Sequence, residues 1–508
     1  MNTYKLKEIK YEKIVLFSVV LIFLLSHFWR VPPVDDPAGY IAMGKYIYSL
    51  GNAGYWMPRK AILLPLMVGA FWKLGLDHVL FGGILELLFS VGSIFLVYLI
   101  GRKVFDEKVG LLSAAFLSIS PLYFNFGVQI FPRIPATFFG LLAVYCFLNN
   151  KQFLSGFFSA LAFLGHFTLL LLYGVLFLFF ILGVIKRTHT SKNIINFLIG
   201  SLLIFIPYLF SNLIFYRNLI FPILDSFHQM EREKCGWAGG FPGFFYIEYF
   251  WGREPIILFL SLIGVLLIIK KPDLTKVLIL CIGAIHLLDI HITRTNSIRY
   301  TIPALPYLYM LSAFAFFQIY NFVKQRKRFV GIGIFILLFI YITFNYTSLI
   351  YLHLHRIYDM EDFYRSKTFI ENGELLNGIK YIYKKATNIE LSPYQQYLQE
   401  NEKNMHGTVW VSDGKMVIYS NLRVTNMSHP IFKLAEVMQF QSKLLTADWI
   451  LLDATGLLCD PSCNYILDKK CEEEKNKLIK TIISQFKAER YFTNSKGEFI
   501  GGIFKKLP

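Results

Sequence analysis

A chain of 508 residues that is 55% hydrophobic, 17% charged and positive in mean hydropathy (+0.48) is not built like a soluble globular protein. Many of its apolar runs are long enough to cross ~30 Å of hydrocarbon as helices of about 20 residues. The net charge of +17 gives no reason to invoke nucleic acid, because cytoplasmic loops of membrane proteins are rich in Lys and Arg. The sequence therefore predicts a polytopic α-helical membrane protein.

The N-terminal tail carries Lys5, Lys7, Lys10 and Lys13, which place it in the cytoplasm by the positive-inside rule. The first apolar segment, Ile14 to Phe28, is read as a retained anchor, since no small-residue cleavage site follows it. Spans are predicted near 14–30, 78–100, 109–126, 134–149, 152–167, 169–185, 195–216, 255–270, 274–290, 300–321 and 329–350, about eleven transmembrane helices. Alternation then puts five basic clusters inside: Arg102-Lys103, Lys151, Lys186-Arg187, Lys270-Lys271 and Lys324 with Arg326-Lys327-Arg328. Phe153 to Ile185 is split at Gly165-His166-Phe167-Thr168, which keeps that alternation. In the first outer loop, 31–77, an apolar run from Ala61 to Phe71 is too short to span and suits an interfacial or re-entrant helix.

From about Tyr351 the composition turns soluble. Thr408 to Asp413, Asp448 to Asp453 and Phe499 to Lys505 read as strands. Ile431 to Leu445 and Glu472 to Phe486 read as amphipathic helices. The domains are then a membrane domain over 1–350 and a small α/β extracytoplasmic domain over 351–508, with no nucleotide-binding glycine fingerprint. Cys146 and Cys281 lie in apolar spans and read as buried hydrophobes. Cys235, Cys459, Cys463 and Cys471 fall outside, where a disulfide suits an oxidising compartment; their pairing is open.

Two adjacent acids, Asp35 and Asp36, follow the exit of the first span and precede Pro37-Ala38-Gly39-Tyr40. Acids at a membrane edge are costly and tend to be functional; an Asp before a helix is also an ordinary N-cap. Basic residues on the outer side run against the positive-inside trend. They are Arg59 and Lys60 in the first loop, Arg133 in the turn Phe-Pro-Arg-Ile-Pro, and His291, Arg294 and Arg299, with Tyr300 following. An arginine offers a bidentate fork to phosphate, so the set points to a pocket for a phosphate headgroup; taken singly, each residue also suits interfacial snorkelling. A carboxylate within reach of an acceptor hydroxyl serves as general base. One of Asp35 and Asp36 takes that role, and the other orients it or holds a divalent ion, Mg or Mn.

The order of these parts resembles the GT-C superfamily, in particular the protein O-mannosyltransferase-like and aminoarabinose-transferase-like families. The resemblance rests on Asp35-Asp36-Pro37-Ala38-Gly39-Tyr40 after the first span, Arg59-Lys60 with Pro65, Ser120-Pro121-Leu122-Tyr123, Pro132-Arg133-Ile134-Pro135, and Arg299-Tyr300 with Pro303 and Pro306. It covers about residues 14–325. Two departures stand out: Arg133 occupies the second outer turn where the families carry an acid, and the first motif reads Asp-Asp where Asp-Glu is common. The resemblance implies an inverting membrane glycosyltransferase. It takes a sugar from a polyprenyl-phosphate donor to an unidentified acceptor, and its site and C-terminal domain face outward at the cell membrane. The alternative is a transporter or flippase of lipid-linked saccharides, against which stand the lack of an internal repeat and of mid-depth polar clusters. An oligosaccharyltransferase is disfavoured because no Trp-Trp-Asp signature occurs in the outer domain. The topology is checked by a reporter fused after Pro508: it should be active only outside the cytoplasm, and activity confined to the cytoplasm would remove the odd span count.

Overall fold

The computed structural model describes residues 2–27, 37–187, 190–232, 254–293, 298–326, 393–412, 414–427, 446–453, 465–493, 497 and 499–507, with residues within 247–252 and 329–347 and the pieces 431–432 and 458–459. Asp35, Asp36, Arg294, Cys235 and Cys463 lie outside the described residues. Apolar periodicity becomes helix along most of the first part. In chain order these are α1 (Asn2–His27), α2 (Pro37–Tyr48), α3 (Leu63–Lys73), α4 (His78–Val104), α5 (Glu107–Ser118), α6 (Pro121–Phe126), α7 (Arg133–Leu148), α8 (Gln152–Gly165), α9 (Leu170–Ile185), α10 (Ser191–Tyr216), α11 (Phe221–Arg232), α12 (Pro255–Lys270), α13 (Leu274–Thr293) and α14 (Leu305–Arg326). Among the described residues, His78–Val104, Phe167–Ile185 and Ser191–Tyr216 are long and apolar enough to cross a membrane, and six shorter apolar helices accompany them.

The chain forms two compact units. The first comprises Met1–Pro32, Gly83–Phe221 and Pro242–Ile389; the second comprises Pro33–Gly82, Pro222–Phe241 and Glu390–Pro508. The first is a helical body whose core holds Phe116, Tyr123, Phe180, Phe197, Tyr307 and Tyr309, all fully buried, while Leu203, Phe210, Phe215 and Leu266 stay exposed on its outside. Apolar side chains on the outer surface of such helices suit hydrocarbon as the surrounding medium.

Where helices break, sequence explains the break. The expected span over 109–126 is two helices, because Pro121 restrains the residue before it and Ser120 caps the new helix by accepting from the Tyr123 amide at 3.4 Å. The expected split after α8 is present: α8 stops at Gly165, and Phe167–Leu169 forms a single 3-10 turn before α9. His166 braces that corner, its Nδ1 2.8 Å from Thr168 Oγ1. The tenth expected span begins later than its sequence suggests. Ile298–Thr301 is a 3-10 turn, and α14 starts only at Leu305, beyond Pro303.

A carboxyl joins two of these features. Glu254, just before α12, accepts from Tyr309 Oη at 2.7 Å and from Ser120 Oγ at 3.4 Å, so the Ser-Pro break is tied to α14. His27 closes α1 in a similar way, with its two ring nitrogens each 2.8 Å from a carbonyl oxygen, of Phe23 and of Phe124.

The second unit combines the segment between α1 and α4 with the C-terminal part. A five-stranded sheet runs in the order β2-β1-β4-β7-β6, from β1 (Val409–Val411), β2 (Val424–Met427), β4 (Trp449–Asp453), β6 (Phe486–Thr493) and β7 (Phe499–Lys506). Strand β1 is parallel to β2 and β4, while β7 is antiparallel to β4 and β6. The helix over Tyr465–Gln485 buries Leu478 and Ile482 against Trp410, Ile450 and Phe504. The first two residues of the helix expected over 431–445 form a short strand, β3 (Ile431–Phe432), parallel to β5 (Leu458–Cys459), and the rest of that stretch lies outside the described residues. The segment between α2 and α3 is stitched to this body. Gly54 N–H donates to Leu422 O at 2.9 Å, and Val424 N–H donates to Gly54 O at 2.9 Å. Lys45, 1% exposed, donates to the carbonyls of Ile418 and Ser420. Burial holds its ammonium down to about 7, opposed by the charge of Glu402.

In the first unit α8 and α10 touch backbone to backbone. A Cβ on Gly156 would lie 1.9 Å from Phe197 O, and one on Gly200 2.0 Å from Phe153 O. Small residues at a crossing let membrane helices approach this closely. Gly156→Ala should therefore destabilise the protein by about 1–3 kcal/mol through overpacking. Gly174→Ala, with nothing within 4 Å, should be neutral. Thermal unfolding in detergent compares the two.

Candidate functional site

The site is built from the short turns that join helices of the first unit. Pro132 and Pro135 flank Arg133, and Pro132 takes the cap position of α7 without a side-chain hydrogen bond. Arg133 is thus the first residue of a helix, where backbone amides already favour an anion. Sequence reasoning gave that advantage to Arg299. The structure transfers it, because Arg299 sits in the 3-10 turn Ile298–Thr301 and α14 begins only at Leu305.

Arg133 is 4% exposed. Its guanidinium carbon lies 3.7 Å from the ring centroid of Tyr300 and 5.0 Å from that of Phe131. The guanidinium carbon of Arg299 lies 5.4 Å from the centroid of the same Phe131 ring. Two cations far apart in sequence therefore share one buried aromatic neighbour. Each such contact contributes about 0.5–2 kcal/mol, more when desolvated.

Two histidines join this group. His166, at the α8 break, presents its ring edge-on to Tyr300 with centroids 6.4 Å apart, and Arg133, His286 and Arg299 all act on it electrostatically. His286, on α13 and 3% exposed, stacks on Tyr307 at 6.3 Å. Its Nε2 has no hydrogen-bond partner among the described residues. Sequence reasoning treated His166 as a corner residue, and its bond to Thr168 bears that out; the contact with Tyr300 was not visible in the sequence. The side chain of Asp289, one turn further along α13, lies outside the described residues.

Of the predicted cations, the structure brings together Arg133, Arg299 and Tyr300. His291 lies in the last turn of α13, with its side chain outside the described residues. Arg59 and Lys60 belong to the second unit. There Lys60 Nζ lies 4.1 Å from the ring centroid of Tyr40, over the first turn of α2. A Cβ on Gly39 would come within 2.7 Å of that nitrogen, so glycine at this position makes the room that Lys60 occupies. Asp35 and Asp36 immediately precede α2 in sequence. Among the described residues no group of three or more His, Cys, Asp or Glu is arranged to hold a metal ion.

With this geometry in hand the relatives can be named. Residues 59–211 match the family model described as dolichyl-phosphate-mannose-protein mannosyltransferase. The archaeal oligosaccharyltransferase AglB of Archaeoglobus fulgidus, solved with an inhibitory peptide and a dolichol-phosphate, superposes over 97% of this chain and 74% of its own, with a TM-score of 0.60 at 12% identity. ArnT of Cupriavidus metallidurans, solved with undecaprenyl phosphate, covers 98% of both chains with a TM-score of 0.59 at 10% identity. The chain has the GT-C fold. The arabinofuranosyltransferase AftD from Mycobacteria is a further GT-C neighbour, with a TM-score of 0.51 at 9% identity over 98% of this chain and 41% of its own. Among curated protein sequences none matches the chain. Apolar helices and the GT-C fold together make the protein an integral membrane protein, and its structural neighbours are glycosyltransferases that act in membranes.

The cation pair generates a measurable expectation. Arg133→Ala and Arg299→Ala should each weaken binding of the phosphate headgroup expected from the sequence about 10- to 150-fold, the worth of a charged hydrogen bond. Arg299→Lys should fall between native and alanine, since it keeps the charge and loses the fork. Unchanged binding in both alanine variants would return these arginines to interfacial snorkelling.

Proposed function

We propose that this protein is an inverting glycosyltransferase that moves a sugar from a polyprenyl-phosphate donor to an acceptor on the outer side of the membrane. The observation that carries the reading is the convergence of Arg133 and Arg299 on the ring of Phe131, with Tyr300 packed on Arg133. Structural neighbours with this fold were solved with dolichol-phosphate and undecaprenyl phosphate, which supports a lipid phosphate as the ligand of such a pair.

The chemistry follows from charge. A phosphate leaving group departs as an anion, so it needs cations more than a proton donor. Arg133 and Arg299 hold its oxygens with bidentate N–H bonds that strengthen as the bond from sugar to phosphate breaks. His291 and Arg294, which precede Arg299 in the chain, add positive charge to the same task, and Arg59 and Lys60 keep only the phosphate-binding role expected of them from the sequence. The acceptor hydroxyl is a poor nucleophile. Asp35 or Asp36 takes its proton as its oxygen attacks the anomeric carbon, and the electron pair of the broken bond passes to the phosphate oxygen. One acid and a set of cations suffice for this direct displacement with inversion. A divalent ion held by the second Asp, Mg or Mn, would act by orienting phosphate or acceptor. The sugar and the acceptor are not fixed by these residues. A flippase for lipid-linked saccharides would use the same phosphate contacts without needing a base.

The base is what separates the two readings. Asp35→Asn and Asp36→Asn should be tested singly for sugar transfer and for undecaprenyl phosphate binding. At least one should lose turnover by about 10²–10⁴-fold while binding the lipid phosphate normally. Two variants with near-native transfer would remove both acids from the chemistry.

A further inference from the structure

Glu86 is a charged residue that the reaction above leaves without a role. It lies on α4, fully buried at 0% exposure, inside the helical body of the first unit. Its Oε1 accepts a hydrogen bond from the backbone N–H of Phe131 at 3.1 Å. Phe131 is the residue whose ring both guanidiniums approach, and it precedes the Pro132-Arg133 start of α7.

One turn further along α4, Ser90 Oγ donates to Gly127 O at 3.1 Å, and Ser90 O accepts from Tyr123 Oη at 3.2 Å. Residues four apart on a helix share a face, so Glu86 and Ser90 together hold the two ends of the turn that runs from Gly127 to Phe131. Ser90 holds the near end through a carbonyl, and Glu86 holds the far end through an amide. In a dry interior an unmade amide bond is costly, so Phe131 N–H has no competing solvent partner to move toward.

We infer that Glu86 is a positioning residue for the phosphate pocket: by fixing the Phe131 amide it sets the ring against which Arg133 and Arg299 are placed. The inference rests on the donor-phosphate reading given above. Glu86 touches neither donor nor acceptor. It acts through Phe131, and what it supplies is an acceptor oxygen at a fixed place rather than a negative charge. The carboxyl oxygen bonded to Phe131 is therefore the part that matters, and an amide of the same length should replace it.

The test uses full-length protein in detergent and undecaprenyl phosphate as the probe, with transfer kinetics measured alongside. Glu86→Leu fills the space without an acceptor. It should weaken lipid-phosphate binding about tenfold, on the scale of one buried hydrogen bond, and raise the KM for donor more than it lowers kcat. Glu86→Gln should restore native binding. Phe131→Leu keeps the amide and removes the ring, so it should weaken binding by a similar factor; it serves in place of Glu86→Leu should that variant not fold. Native binding in Glu86→Leu or in Phe131→Leu, beside weakened binding in Arg133→Ala, overturns the role of Glu86 and leaves the phosphate pocket standing. Equal losses in Glu86→Gln and Glu86→Leu overturn it too, since charge or packing would then be responsible. Native binding in Arg133→Ala and Arg299→Ala overturns the pocket itself, and the inference with it.

Discussion

A helix surrounded by hydrocarbon can leave no backbone amide or carbonyl without a partner, and three of the described breaks between helices answer that demand with a side chain. Ser120 caps the helix that Pro121 starts. His166 and Thr168 brace the corner between α8 and α9. Glu86 receives the amide of Phe131. At these joints polar side chains meet what the backbone lacks. Chemistry can then use what the backbone required. Arg133 is the clearest case, since a proline-flanked turn that starts a helix also presents a cation at that helix's positive end.

Much of this body could be read from the order of residues. Helices over 78–104 and 152–165 follow from long, mainly apolar runs, and the corner after Gly165 follows from that glycine with His166 and Thr168 beside it. The strand at Trp449–Asp453 follows from a short apolar stretch bounded by acids. Arg133 stood out because a cation in a tight outer turn needs a reason. The start of α14 lies later than the sequence suggests because Tyr300 opens an apolar run, while the helix begins only at Leu305, beyond Pro303. Phe131 was passed over for a different cause. Nothing local distinguishes it from the other 49 phenylalanines, and its importance comes from neighbours brought in by tertiary packing. Glu254 was likewise invisible, because its partners Ser120 and Tyr309 lie on distant segments.

The neighbours agree with the fold far more than with the sequence. AglB and ArnT keep the architecture at 12% and 10% identity. A helical body of this kind needs apolar surfaces, small residues where helices cross and capped joints, and many sequences meet those needs.

The grip of Lys45 on Ile418 and Ser420 spans 373 and 375 residues of chain. The segment that carries Lys45 is made early and its partners near the end. At synthesis rates of about 5–20 residues per second, the interval is roughly 20–75 s. Throughout that time Lys45 and Gly54 lack the carbonyls and amides they hold in the finished protein. Assembly of the second unit is therefore a late event of biogenesis, and a chain stopped before residue 418 leaves the loop that follows Asp35 and Asp36 without its lock.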